Sequence, residues 1–192
     1  MRQVVLSMFM SLDGYICGPD GEFIPPRWSD DLERHWSGYA LARAGRLLYG
    51  RKNFLFNKDF WSPAETDPSS VAAGIPHAAT MNRLPKTVFS RTLPDYPGWN
   101  GTVVRDDLPG AVAALKAEGG GDLTMFGGAE IAGSFMALDL IDEYRLMVTP
   151  NLLGRGKRLF EGPTDRLGLA LLDAQPLDTG AVILRYRRER GG

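Results

Sequence analysis

The sequence predicts an α/β fold whose mostly parallel sheet ends in antiparallel strands, and three observations lead there. Apolar strand-like runs alternate with helix-like segments through most of the chain. Glycines or acidic residues stand where one element should give way to the next. After Leu138 the helical segments stop, and strand-like segments follow, joined by a turn around Asp178-Thr-Gly180.

Taken in order, Val4 to Met10 is a nearly continuous apolar run, the pattern of a strand buried on both faces. A Gly/Pro-rich loop follows from Asp13 to Arg27. Ser29 can cap a helix whose first turn carries Asp30 and Asp31, acids suited to the positive helix end. That helix is expected to reach Arg43 and stop at Gly45. Arg46 to Tyr49 reads as a short strand, and Gly50 turns it into a helix holding Phe54, Leu55 and Phe56. A Pro/Ser-rich surface stretch precedes strands over Lys86–Ser90 and Gly101–Arg105. Asp106 or Asp107 caps a helix near Pro109, which runs to Glu118 and ends at Gly119-Gly-Gly121. Leu123 to Phe126 is a strand that breaks at Gly127-Gly128 into a helix ending near Leu138. Glu143 to Thr149 alternates, with Tyr144, Leu146 and Val148 sharing a face, and Leu167–Leu172 and Ala181–Arg187 complete the tail.

The 192 residues suit one domain over 1–192, with no internal repeat, low-complexity tract or long linker. With 44% hydrophobic and 23% charged residues, bulk disorder, a fibre and an isolated coiled coil are excluded. A net charge of −1 supplies no global basic field for nucleic acid or an anionic membrane. Cys17, the one cysteine, excludes an internal disulfide and any multi-cysteine metal site, and suits a reducing compartment. The apolar start is broken by Ser7, Ser11 and Asp13, a poor signal peptide, so a cytoplasmic protein is expected. His35 and His77 lie far apart without carboxylate or cysteine partners at ligand spacing, which argues against a metal. The cluster Arg185, Arg187, Arg188 and Arg190 reads as a solvated strand edge.

Three junctions carry the chemistry: Tyr49-Gly-Arg-Lys-Asn53, Phe89-Ser-Arg-Thr92 and Phe126-Gly-Gly-Ala-Glu130. In an open α/β sheet, ligands bind beyond the carboxyl ends of the strands, where these junctions fall. Glycine lets backbone approach a phosphate, first-turn amides bind anions, and Arg51 and Arg91 add fixed positive charge. Two such helix starts with an arginine turn point to a nucleotide with more than one phosphate.

Five segments give the chain a family resemblance: Ser11-Leu-Asp-Gly14, Leu48-Tyr-Gly-Arg51, Val88-Phe-Ser-Arg91, Gly127-Gly-Ala-Glu-Ile131 with Gly133 and Phe135, and Leu140-Ile-Asp-Glu-Tyr144 with Pro150, Leu153-Gly154, Gly156 and Leu159-Phe160. In this order they resemble the dihydrofolate reductase-like family, in the branch of the riboflavin-biosynthesis reductase domain. The resemblance implies a three-layer αβα fold, NADPH binding and hydride transfer to a C=N or C=O group of a small heterocycle, of pterin or riboflavin-precursor pyrimidine type. By it, Gly50, Arg51, Lys52 and Asn53 take phosphate, Ser90, Arg91 and Thr92 meet the adenosine 2′-phosphate, and Gly127, Gly128, Ala129, Glu130 and Ile131 hold the pyrophosphate. Asn53 stands where a hydroxyl residue is common, with an amide still able to donate. Asp31 resembles a substrate-orienting carboxylate beside Trp28 at the entrance, and Asp13 is the corresponding polar group of the riboflavin branch. The tail implies a homodimer. Two rival functions stand beside this one, a non-catalytic NADPH-binding module and a true dihydrofolate reductase.

Overall fold

The structure is a computed structural model and describes residues 2–161 and 166–190. Its centre is an eight-stranded sheet in the order β5-β4-β3-β6-β1-β7-β10-β9. The strands are β1 (Val4–Ser11), β3 (Ala44–Gly50), β4 (Lys86–Phe89), β5 (Gly101–Val104), β6 (Asp122–Met125), β7 (Glu143–Thr149), β9 (Gly168–Pro176) and β10 (Val182–Glu189). The run from β5 to β7 is parallel throughout, and β10 and β9 are added antiparallel. Strands β2 (Tyr15–Cys17) and β8 (Lys157–Arg158) form a separate two-stranded ribbon.

Period-two alternation sorts the apolar residues onto two faces. Val4, Leu6 and Met8 of β1, with Leu48, Leu123 and Met125, pack against α5 (Leu108–Ala117) and α6 (Ala129–Ala137) through Val112, Leu115, Ile131 and Phe135. On the other face, Leu47, Tyr49 and Val88 meet Leu41, Phe54 and Met81, which belong to α2 (Tyr39–Arg43), α3 (Arg51–Trp61) and α4 (Ala78–Arg83). Leu32 of α1 (Asp30–Leu32) and Trp36 cover Met147 and Ile183 beside them. Leu47 and Leu48 therefore enter different clusters, and the fold is the three-layer αβα sandwich the sequence implies.

The helix begun at Ser29 reaches Arg43 as expected, with the Ser29 hydroxyl accepting from the Leu32 amide. Its middle, Glu33–Gly38, is wound as a π-helix, which the sequence reading did not foresee. Beneath it lies the buried Arg145 of β7, donating to the carbonyls of His35 and Trp36 and stacked 4.5 Å from the Trp36 ring. Widened turns present carbonyls that need outside donors, and this guanidinium supplies them. Burial pushes its pKa down to about 10.

Several expectations are corrected. Gly45 does not stop the helix; it lies within β3, where an added Cβ would sit 2.7 Å from the Gly121 carbonyl oxygen. Its role is close backbone approach. The alternation in β7 does not separate a buried from an exposed face: Glu143 and Arg145 are buried as fully as Tyr144 and Leu146. Glu143 takes Arg185 at 2.9 Å and Arg145 donates to the carbonyls of His35 and Trp36, so internal partners rather than solvent account for these two charged positions. The Pro/Ser-rich stretch contains two 3-10 turns and precedes α4. The C-terminal arginines are not simply solvated, because Arg185, Arg188 and Arg190 pair with Glu143, Asp139 and Asp142. Among the described residues no helix is long and apolar enough to cross a membrane.

Candidate functional site

Strands β4, β3 and β6 are neighbours and parallel, so the three chemistry-bearing junctions emerge side by side. Helices α1 and α5 are capped by Ser29 and Asp107, whereas α3 and α6 begin at Gly50 and Gly128 with no capping side chain. Their first-turn amides are the kind of donor set that accepts an anion. Gly127 and Gly128 have φ of +114° and +89°, values a side chain rarely adopts. A Cβ at Gly128 would come within 3.1 Å of Ile131, and one at Gly50 within 3.4 Å of the same side chain. The two helix starts are therefore in direct contact.

Asn53 joins them. Its Nδ2 donates to the Phe126 carbonyl at 2.9 Å, Asn57 donates back to Asn53, and Trp61 Nε1 donates to Asn57. The structure thus gives Asn53 a bracing contact between the helix starts, which the sequence reading did not assign. Arg51 donates to Thr92 Oγ1 at 3.3 Å, and Ser90 Oγ accepts from the amides of Thr92 and Leu93. The Ser90-Arg91-Thr92 turn is drawn to the start of α3 in this way. Arg91 is exposed and lies 3.5 Å from Asp106. Glu130, in the first turn of α6, lies 2.8 Å from Lys157 and 3.8 Å from Lys52. The Lys157 hydrogen bond leads the influences that hold its carboxyl below the usual range.

Asp13 and Asp31 occupy separate places. Asp13 accepts from Ser11 Oγ at 2.6 Å and from the amides of Leu153 and Gly154, locking the end of β1 to the loop after β7. The Ser11 bond and these amides draw its pKa down to about 2. Asp31 accepts from the Asp178 amide at 3.1 Å and lies 3.5 Å from His35. Trp28 is half-exposed, its ring 6.3 Å from that of His77. Both histidines have carboxylate partners after all: His77 Nδ1 is 2.8 Å from Glu33 Oε1, and the His35 partner is Asp31. Phe23 was also missed. It packs on Phe9 of β1 at 5.5 Å and on Phe56 of α3 at 5.9 Å, carrying the Asp13–Arg27 loop across from the sheet to the helix. The His77–Glu33 pair and the Phe23 packing depend on contacts distant in sequence, whereas Asp31 and His35 stand four apart on one helix, a spacing the sequence already offers.

Comparison with known proteins agrees with this geometry. Residues 2–183 match the family model of the RibD C-terminal domain. A Bacillus subtilis (strain 168) protein, "Uncharacterized protein YyaP", is 30% identical over 189 residues, which span 96% of this chain and 94% of that one. A crystal structure named as a putative riboflavin biosynthesis protein from Shewanella sp. PV-4 is 25% identical, with a TM-score of 0.75 and coverage of 99% and 100% of the two chains. The Thermotoga maritima protein named diaminohydroxyphosphoribosylaminopyrimidine deaminase/5-amino-6-(5-phosphoribosylamino)uracil reductase shares the fold at a TM-score of 0.68 and 15% identity, with 98% of this chain covering 57% of that one. With the glycine-started helices, the Ser-Arg turn and the antiparallel tail all in place, the chain belongs to the RibD C-terminal domain family and has its dihydrofolate reductase-like fold.

Proposed function

We propose that the protein is an NADPH-dependent reductase of a small heterocycle of the pterin or pyrimidine type, acting as a single domain over residues 1–192. One observation carries the reading. Two glycine-started helices without a capping side chain meet at the ends of adjacent parallel strands, beside Arg51, which donates to Thr92 of the Ser-Arg-Thr turn that carries Arg91. A Cβ at Gly127 would come within 2.9 Å of Asn53 Nδ2, so the loop that would approach a pyrophosphate excludes larger residues. These residues fit a dinucleotide. Gly127, Gly128, Ala129 and Ile131 would hold the pyrophosphate, with Gly50, Arg51 and Lys52 on the facing side and Asn53 fixing the distance between them. Ser90, Arg91 and Thr92 would receive the adenosine 2′-phosphate, where an arginine discriminates in favour of a charged ligand.

Bound NADPH supplies the hydride. What the chain adds is orientation. Asp31, at the start of the first helix, can accept hydrogen bonds from an amino-substituted ring, and Trp28 offers a flat apolar wall. Asp13 is committed to Ser11 and two backbone amides, so it serves by fixing the loop beside the end of β1. Support for the reaction class comes from the family and from the reductase named in the Thermotoga maritima relative. The test is NADPH oxidation followed spectroscopically against a panel of pterins and aminopyrimidines. Turnover of at least one is expected. Tight NADPH binding without turnover of any would leave the non-catalytic binding module as the better reading.

A further inference from the structure

Glu130 stands in the first turn of α6, where the reading above places the pyrophosphate, and a carboxylate there repels a phosphate. Two lysines offset its charge from different directions. Lys52 comes from the first turn of α3, and Lys157 from the ribbon strand β8. Both approach the same oxygen, Oε1. The three side chains are 70%, 80% and 41% exposed for Glu130, Lys52 and Lys157, so these pairs do little for folding. Their consequence falls on a ligand instead. Leu159 donates to the Gly14 carbonyl at 3.1 Å, so Lys157 belongs to the same unit as the Asp13 loop.

Resting on the NADPH reading, we infer that Glu130 competes with the cofactor pyrophosphate for Lys157 and Lys52, and that Lys157 is a further cofactor-binding residue. With the dinucleotide bound, the lysines pass from the carboxylate to the phosphates and Glu130 turns to solvent. The ligand class is a pyrophosphate-bridged dinucleotide. The arrangement tempers affinity, because the phosphates must first displace a charge already in place.

The two partners therefore have opposite effects on binding. Titration of the full chain with NADPH should show Lys157→Gln weakening affinity roughly tenfold. Glu130→Gln should strengthen it about threefold or more. Adenosine 2′-monophosphate, which lacks the pyrophosphate, should bind all three proteins alike, and their melting temperatures should coincide. If both variants weaken binding, or neither changes it, the competition does not exist and the pair is only a surface contact. A wild-type protein that binds no NADPH at all would instead overturn the cofactor reading, and this inference with it.

Discussion

Three donors converge on the Asp13 carboxylate, and their preference for its ionised form sets a pH dependence. Its folded pKa of about 2 lies below the ordinary 3.8, so the contribution is present above the ordinary value and lost as pH falls toward 2. Asp13→Asn should flatten the acid limb of a melting-temperature profile taken from about pH 5 downwards. A limb identical to that of the wild type would show that the latch contributes nothing. Asp31 makes a different prediction, because one backbone amide and one histidine leave it acceptor capacity. Asp31→Asn should leave NADPH affinity intact while turnover of a confirmed substrate falls roughly tenfold or more. Unchanged turnover would reduce Asp31 to a first-turn acid stabilised by the helix dipole.

Lys86 opens β4 with its ammonium fully buried, donating to the Asn82 carbonyl at 2.8 Å and resting 4.0 Å from the Trp99 ring. Burial pushes its pKa down to about 8 from 10.5. Between these values the unfolded chain binds the proton and the folded chain does not, so stability rises with pH across this window. Lys86→Met should remove that rise, amounting to about 2 kcal/mol, as read from denaturant midpoints compared at about pH 8 and pH 10. A rise that survives in the variant would contradict the assignment. Elements such as β1, α5 and α6 were legible in the sequence because their signals are local: an apolar run, Asp107 with Pro109, and a glycine pair. The glycine starts and the Ser-Arg turn of the site were legible for the same reason. The π-helix, the ribbon of β2 and β8, and the buried charges of β7 were not. Each depends on a distant partner, Arg145 under the helix, Gly14 and Leu159 beside the ribbon, and Arg185 against Glu143.

For the whole molecule, β9 is the outermost strand among the described residues and leaves Leu169, Leu171 and Leu172 at 38%, 57% and 43% exposure. A long apolar edge is an aggregation hazard unless something covers it. A second copy of the chain is the occupant we propose, giving a homodimer by a symmetric contact. Sedimentation at micromolar concentration should show a dimer for the wild type and a monomer for Leu171→Lys. A monomeric wild type would refute this assembly. The larger claim is that three loops at the ends of β4, β3 and β6 form one dinucleotide site selective for the 2′-phosphate. Its most direct test is calorimetric titration of the wild-type protein with NADPH and with NADH. The account predicts NADPH binding at least roughly tenfold tighter, the margin of a charge-assisted contact from Arg91. Equal affinities, or no binding of either, would contradict it.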